Sequence, residues 1–177
     1  MAETATQRLF FALWPEPSVR SGLQQCLSPL ADATGRPVDP DNLHLTLAFP
    51  GHIDATTQSC LEQAADAIHL PRFTLRLDHF GYWKHPKVIW YGPSEVPIEL
   101  ISLVAELEEA MRACGLNPES RPYRPHVTLL RKAQAMPKAA APAMVWRVEG
   151  FVLVLSESSP QGVRYRVIRR WPLSPKS

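Results

Sequence analysis

The sequence predicts an α+β fold with antiparallel sheets, in a single domain over residues 1–177. Segments in which apolar and polar residues alternate, as in half-buried strands, are interspersed with segments whose apolar residues recur at helical spacing. In addition, 18 prolines punctuate the chain and keep the strands short. A chain of 177 residues is long enough for one substantial domain or for two closely joined lobes.

The first half of the chain predicts three strands and two helices. An apolar run gives a strand over 9–14, and apolar residues at helical spacing give a helix over 19–30. A loop around Gly35 leads to a short strand near 43–47. Asp54 is a good N-cap for a second helix that reaches Ile68, and strict alternation over 73–78 predicts a half-buried strand.

The second half predicts a helix and four more strands. A strand over 88–91 precedes the clearest amphipathic helix, over 100–111, for which Gly115 is a suitable end. A strand near 126–129 follows, and the alanine- and proline-rich stretch 133–142 is predicted to be a surface loop. Two final strands, over 145–156 and 164–171, are joined by a turn that contains Pro160 and Gly162.

A four-residue pattern of histidine, x, threonine, x occurs twice, as HLTL and as HVTL. Successive side chains of a strand point to opposite faces, so His44 and Thr46 share one face while the leucines beside them share the other. His126 and Thr128 are arranged in the same way. If the apolar faces join the core and the two copies meet across a cleft, two imidazoles and two hydroxyls converge there.

Paired histidines with neighbouring hydroxyls suit phosphoryl chemistry without a metal. The ordinary histidine pKa of about 6.5 allows one ring to act as a base and another as an acid near neutral pH. Threonine hydroxyls can donate hydrogen bonds to phosphate oxygens and share the developing charge. Two alternatives stay open: structural histidines within apolar strands, and a zinc site built from His44, His126 and a third histidine, although no ligand pair lies at short spacing.

Arg131 is a further candidate for phosphate binding, because a guanidinium matches phosphate oxygens well. Strict alternation from His126, however, puts Leu130 rather than Arg131 on the polar face. Arg131 reaches a phosphate there only if the strand ends or twists after Leu129. The alternative is a solvated arginine at the end of a strand.

Composition and cysteine content favour a cytoplasmic protein. The net charge is only +2, which is a weak argument for nucleic-acid binding. Cys26, Cys60 and Cys114 lie in apolar, helix-like stretches and are predicted to be reduced and buried. The sequence contains no run long enough for a membrane span, no signal-peptide pattern and no P-loop for ATP. We therefore expect no membrane association.

The chain resembles the 2H phosphoesterase superfamily, and within it the bacterial and archaeal RNA 2′,3′-cyclic phosphodiesterases once described as 2′-5′ RNA ligases. The resemblance is carried by the first strand, the two motif regions and the closing strand pair, at 8–13, 42–51, 124–131 and 155–173. Pro50 and Leu130 depart from the common leucine and alanine, but neither is a motif position. The resemblance implies a bilobal fold of two antiparallel sheets, related by a pseudo-two-fold, with outer helices and a central cleft.

The resemblance also implies metal-independent hydrolysis of RNA 2′,3′-cyclic phosphate ends to 2′-phosphate ends. It assigns His44 as proton donor, His126 as proton acceptor, and Thr46, Thr128 and Arg131 as phosphate-binding residues. No cofactor or metal is expected, and the chain is expected to be a monomer. The alternatives are 2′-5′ RNA ligation as the reverse reaction, hydrolysis of a small cyclic nucleotide, and a binding module that has lost catalysis.

Residues that bind the RNA itself are harder to identify from sequence. Five aromatic residues near motif or loop segments could stack on a base, although Phe11 and Phe49 are better explained as core. These five are Phe11, Phe49, Tyr82, Trp83 and Tyr123. The arginine-rich run over 164–170 could follow an RNA backbone or simply form a solvated strand face.

Overall fold

The structure, a computed structural model, describes residues 3–175, and that range folds into ten strands, three α-helices and two short 3₁₀ helices (Ser28–Leu30 and Pro40–Asn42). The strands are β1 (Gln7–Leu13), β2 (Arg36–Pro37), β3 (Leu45–Ile53), β4 (Phe73–Leu77), β5 (His79–Trp83), β6 (Val88–Gly92), β7 (Val127–Arg131), β8 (Met144–Val148), β9 (Gly150–Ser159) and β10 (Gly162–Pro172). The α-helices are α1 (Pro17–Gln25), α2 (Ala55–Asp66) and α3 (Ile98–Ala113).

Antiparallel pairing joins the strands into one large sheet and one small one. The large sheet has the order β10-β9-β1-β3-β7-β6-β5, with the short β2 also paired to β7, and the small sheet consists of β4 and β8. The two motif strands, β3 and β7, are neighbours at the centre of the large sheet. Each is flanked on its other side by an antiparallel strand, β1 beside β3 and β6 beside β7, so the two halves of the sheet are arranged alike.

Strand β1 is buried on both of its faces, which explains its nearly continuous apolar sequence. Leu9, Phe11 and Leu13 enter the main core, which the helices cover. Phe10 and Ala12 point to the opposite face, where they form a second, smaller cluster with valines of β9. The site described below lies on this second face.

Two predicted helix boundaries are confirmed. Asp54 caps α2, because its carboxylate accepts a hydrogen bond of 2.8 Å from the backbone N–H of Thr57. Gly115 follows the end of α3 with a φ of +82°, a left-handed conformation that glycine adopts without steric cost.

The prediction of one strand over 145–156 is wrong. The strand is interrupted at Glu149. The part before it, β8, pairs with β4 in the small sheet, and the part after it, β9, pairs with β1 and β10 in the large one. The alternation of apolar residues continues across the break and does not reveal the change of sheet. Strand β5 was also not predicted, because its histidine, glycine and aromatic residues give no clear period.

The prediction of three reduced cysteines is wrong for two of them. Cys60 of α2 and Cys114, just after α3, form a disulfide with a Cα–Cα distance of 5.9 Å. The two cysteines are 54 residues apart in sequence and are brought together by the packing of α2 on α3, which the sequence does not reveal. Cys26 is free and buried, as predicted. No helix in the described range is long and apolar enough to cross a membrane.

The absence of a side chain at Gly81 of β5 makes room for the indole of Trp90 on β6. A Cβ atom at Gly81 would lie 2.0 Å from a ring carbon of Trp90. We expect Gly81→Ala to displace the indole and destabilise the fold by roughly 1–3 kcal/mol, as overpacking does. The melting temperature should fall by about 5 °C in a thermal unfolding experiment.

Gly22→Ala is the matched control for that substitution. Gly22 lies in α1, where alanine is the better helix former, and the added Cβ would meet the flexible side chain of Met144. We expect no fall in its melting temperature. Equal melting temperatures for the two variants would contradict the role assigned to Gly81.

Candidate active site

The two motifs meet through one strand pair at the centre of the large sheet. Leu45 of β3 is paired antiparallel with Val127 of β7. In an antiparallel register, the residue before Leu45 then lies across from the residue after Val127, and the residue after Leu45 lies across from the residue before Val127. His44 therefore lies across from Thr128, and Thr46 across from His126. Residues opposite each other in this way have Cβ atoms about 5 Å apart, so the four side chains form one compact group.

A β-bulge follows the threonine in each motif strand. In β3, Thr46 pairs with Ala12 and Ala48 with Phe11, which leaves Leu47 as an extra residue. The equivalent extra residue of β7 is Leu129, between Thr128 and Leu130. As a result, two successive residues after each threonine, Leu47 with Ala48 and Leu129 with Leu130, are buried in the main core.

The bulge decides where Arg131 points. Strict alternation predicts Leu130 on the histidine face, but Leu130 is buried in the main core on the opposite side. After the bulge, Arg131 pairs with Val88 while Thr128 pairs with Trp90, two positions further along β6. Because Val88 and Trp90 share a face of β6, Arg131 shares the face of Thr128. The alternation-based expectation for Leu130 is thus wrong, and Arg131 lies on the side of the histidines.

Both histidines are anchored in the same way. The Nδ1 atom of His44 lies 2.6 Å from the carbonyl oxygen of Asn42, and that of His126 lies 2.8 Å from the carbonyl oxygen of Arg124. A carbonyl oxygen can only accept, so each Nδ1 carries a proton and each neutral ring has its lone pair on Nε2. The Nε2 atom of His44 is 3.1 Å from the hydroxyl of Thr46. Both rings therefore keep Nε2 available for proton transfer.

Aromatic side chains enclose His44. The Trp14 ring stacks on the imidazole at 5.6 Å, and Phe10 and Tyr165 contact it at 4.9 and 5.1 Å between ring centroids. Burial among these rings disfavours the charged imidazolium and lowers the pKa of His44 to about 4. The carbonyl of Asn42 opposes this shift, and the positive charges of Arg131 and His126 add to it.

His126 has a different aromatic neighbourhood. The ring of Trp83 meets it edge-on at 4.5 Å, and that of Trp90 lies at 6.3 Å. Burial again lowers the pKa, against the raising effect of the hydrogen bond to Arg124, and the charge of Arg131 lowers it further. Since the charge of Arg131 acts on both imidazoles, these three side chains belong to one site.

Comparison with known proteins identifies the family. The model of the 2′-5′ RNA ligase superfamily matches residues 14–159. The chain belongs to this superfamily. It is 36% identical over 171 residues to the RNA 2′,3′-cyclic phosphodiesterase of Escherichia coli, covering 95% of this chain and 97% of that protein. It is 33% identical to the protein of the same name from Thermus thermophilus, covering 94% and 90%.

A solved structure of the superfamily confirms the predicted fold class. The crystal structure of E. coli LigT complexed with 3′-AMP superimposes with a TM-score of 0.87 at 36% identity, covering 95% of this chain and 98% of that chain. The 2H phosphoesterase fold that the family resemblance implies is therefore confirmed for this superfamily member.

The five aromatic residues suggested for base stacking have different environments. Phe11 is core, as favoured, whereas Phe49 is 44% exposed on the histidine face and the core interpretation of it is wrong. The hydroxyls of Tyr82 and Tyr123 donate to backbone carbonyls, that of Tyr123 to Thr46 at 2.8 Å. Tyr123 thus ties the segment before β7 to β3. Trp83 adjoins His126.

Most of the arginine-rich run does not line the histidine face. Tyr165 and Val167 of β10 pack on the second cluster, so Arg164 and Arg166 point to the other side of the strand. Arg170 is the exception, because a bulge after Val167 pairs it with Val152 of the second cluster. Arg166 lies 3.6 Å from Glu157, and Arg169 pairs with Asp66 of α2. For these outward-pointing arginines the solvated-strand explanation therefore agrees better with the structure than an RNA track beside the histidines, and Arg170 is the only arginine of the run over 164–170 that shares the histidine face.

Sequence reasoning missed the aromatic enclosure of the histidines. Phe10 and Trp14 belong to a set of alternate residues, along β1 and just beyond its end, that also contains Arg8 and Ala12. The apolar character of the intervening residues hides this alternation. The sequence gives no signal for Trp90, because β6 shows no polar face. Within residues 3–175, no group of three or more histidine, cysteine or acidic side chains is placed to hold a metal ion.

The position of Arg131 can be tested through the histidines. Its charge lowers the pKa of both His44 and His126, so Arg131→Gln should raise both values. An NMR titration of the imidazole C–H signals measures the change. Lys132→Gln removes the neighbouring charge, which does not act on either ring, and should leave both pKa values unchanged. Equal effects of the two variants would contradict the bulge-based placement.

Proposed function

We propose that this superfamily member is an RNA 2′,3′-cyclic phosphodiesterase that uses two histidines and no metal ion. The observation that carries the proposal is the Leu45–Val127 register, which brings His44, Thr46 and their counterparts onto one face. The names of the E. coli and T. thermophilus relatives support the substrate class. The complex of E. coli LigT with 3′-AMP supports a ribonucleotide as ligand.

In the proposed reaction, His126 is the base and His44 the acid. Nε2 of His126 takes a proton from water as the water oxygen bonds to phosphorus. The bond from phosphorus to O3′ breaks, and Nε2 of His44 delivers a proton to that leaving oxygen. The product carries a 2′-phosphate and a free 3′-hydroxyl. The anchored Nδ1 atoms support these roles, because each ring then offers Nε2 for the proton transfer.

Thr46, Thr128 and Arg131 are proposed to stabilise the developing charge. Two hydroxyls and a planar guanidinium can donate to the non-bridging phosphate oxygens. Their hydrogen bonds strengthen as negative charge grows on those oxygens. Together with an imidazolium, they can supply the electrostatic stabilisation that a metal ion provides in other phosphodiesterases.

The lowered pKa values of His44 and His126 determine at which stage of the reaction the acid carries its proton. In the free protein both rings are predominantly neutral at pH 7, so the base can accept a proton but the acid has none to give. A bound cyclic phosphodiester carries one negative charge, which favours an adjacent imidazolium. We propose that substrate binding therefore brings the proton to His44, with the phosphate as its counter-ion.

Ligation of a 5′-hydroxyl to the cyclic phosphate is the same displacement with a different nucleophile and needs no other groups. If the 5′-hydroxyl of an RNA replaces water as nucleophile, the same base and acid form a 2′-5′ linkage. The superfamily name makes this the second candidate. In dilute solution, water greatly outnumbers RNA hydroxyls and hydrolysis should dominate.

The two-histidine mechanism predicts that the reaction requires both imidazole rings. In excess EDTA, the wild type should hydrolyse a short RNA with a 2′,3′-cyclic phosphate to the 2′-phosphate. His44→Ala and His126→Ala should each lose about 10²–10⁴-fold in kcat, the usual contribution of a general acid or base. His69→Ala, which removes an exposed histidine beyond α2, should retain full activity.

Two results would overturn this mechanism. One is wild-type activity that disappears in EDTA and returns with a divalent ion. The other is turnover that is indifferent to both histidine substitutions. Identification of the product by chromatography against 2′- and 3′-phosphate standards also tests the direction of bond cleavage.

The pH dependence should differ between the free protein and the complex. The pKa of the acid, His44, is lowered to about 4 in the free protein, so the basic limb of kcat/KM should lie well below the ordinary histidine value of about 6.5. The bound anion raises this pKa in the complex, so the basic limb of kcat should lie at higher pH than that of kcat/KM. Coincident basic limbs would contradict the counter-ion role of the phosphate.

A further inference from the structure

A polar groove lies on the same face as the histidines, at the far end of β1 and β3. It has a volume of about 520 Å³, and its lining includes Arg8, His52 and Ser156. Arg8 belongs to the same alternating set of β1 as Ala12, which pairs with Thr46. The groove is therefore an extension of the site along the strands and is not part of the four-residue group.

The guanidinium of Arg8 is held in a fixed position at this groove. Its Nη1 donates to the hydroxyl of Ser156 at 3.2 Å, and Ser156 is itself buried. The guanidinium carbon lies 4.8 Å from the centre of the Phe49 ring. Stacking and one hydrogen bond fix the plane of the guanidinium and leave its other N–H donors for a ligand.

The charges around Arg8 favour an anion. Within the described range, no carboxylate lies at ion-pair distance from the Arg8 guanidinium. Glu157 also lines the groove, but it is 3.6 Å from Arg166, which offsets its charge. The neighbours His52 and Ser156 are hydrogen-bond donors or can become so. Arg8 is thus an oriented cation without an acidic partner.

The distance from the reacting phosphate fits an upstream part of the RNA. Arg8 lies four positions along β1 from Ala12, which stands beside Thr46, and these four steps span about 13 Å. This is roughly twice the spacing of neighbouring phosphates on an extended single strand. The exposed ring of Phe49 lies between the two points and offers a surface to a sugar or base.

We propose that Arg8, with Ser156 and His52, forms a second phosphate subsite that binds the backbone of the RNA upstream of its cyclic end. The inference rests on the proposed cyclic phosphodiesterase function. The subsite makes an oligonucleotide a better substrate than a mononucleotide, although the same histidines act on both. Arg8 is a specificity residue and takes no part in the chemical step.

The test compares substrates that differ only in upstream phosphates. Adenosine 2′,3′-cyclic phosphate has none, and the di- and trinucleotides with the same end have one and two. We expect Arg8→Gln to lower kcat/KM for the trinucleotide about tenfold or more, as loss of a charge-assisted hydrogen bond does, and to leave the mononucleotide unchanged. Arg8→Lys keeps the positive charge but not the planar guanidinium, and its kcat/KM for the trinucleotide should lie between those of the wild type and Arg8→Gln.

Salt dependence gives a second readout. For the trinucleotide, the slope of log kcat/KM against log salt should be shallower in Arg8→Gln than in the wild type by about 0.7, the value for one phosphate contact on a single strand. Arg147→Gln removes an equal charge from the outer side of β8 and should change neither the slope nor the substrate preference. A loss of folded protein cannot mimic this result, because it lowers the apparent kcat/KM by the same factor for all substrates.

The outcomes separate the two proposals. An Arg8 effect that appears with the di- or trinucleotide supports the subsite, and its onset identifies the phosphate that is bound. An equal effect on the mononucleotide, or no effect on any length, overturns it. If the wild type turns over none of the substrates, the proposed function has failed. The subsite is then tested by binding measurements, in which Arg8→Gln should weaken the affinity for the 2′-phosphorylated trinucleotide but not the affinity for 2′-AMP.

Discussion

The single antiparallel pair between Leu45 and Val127 is the constraint on which the rest of the site depends. It sets each histidine across from the threonine of the other motif and defines the local two-fold between the halves of the sheet. The bulges at Leu47 and Leu129 then send two consecutive apolar residues into the core. Because the core stabilises that arrangement, the burial of leucines on one face fixes the positions of polar groups on the other.

The two halves of the site share one backbone arrangement but present different side chains. Phe49 and Arg131 occupy equivalent positions, three residues after the threonine in each motif strand, yet one is an apolar ring and the other a cation. His44 is enclosed by Phe10, Trp14 and Tyr165, and His126 is bordered by two tryptophans. Such unequal surroundings allow two histidines with equal anchoring to take unequal roles, as an acid and a base must.

Much of the site could be predicted from sequence because its key residues alternate locally along two strands. The histidines and threonines follow from the period of two, and the helix boundary at Asp54 follows from local capping chemistry. The bulge that redirects Arg131 could not be predicted, since Leu129 and Leu130 satisfy the core equally well in either register. The Cys60–Cys114 disulfide depends on how α2 packs on α3, and that packing is a property of the whole fold.

The central claim is that both imidazoles present an unprotonated Nε2 on one face of the large sheet, and NMR of ¹⁵N-histidine-labelled protein tests it most directly. Long-range ¹H–¹⁵N correlations at pH 7 identify the tautomer of His44 and of His126. We expect both rings to be neutral and protonated at Nδ1, and 2′-AMP to convert at least one to imidazolium. Rings protonated at Nε2, or rings that do not respond to 2′-AMP, would contradict the account.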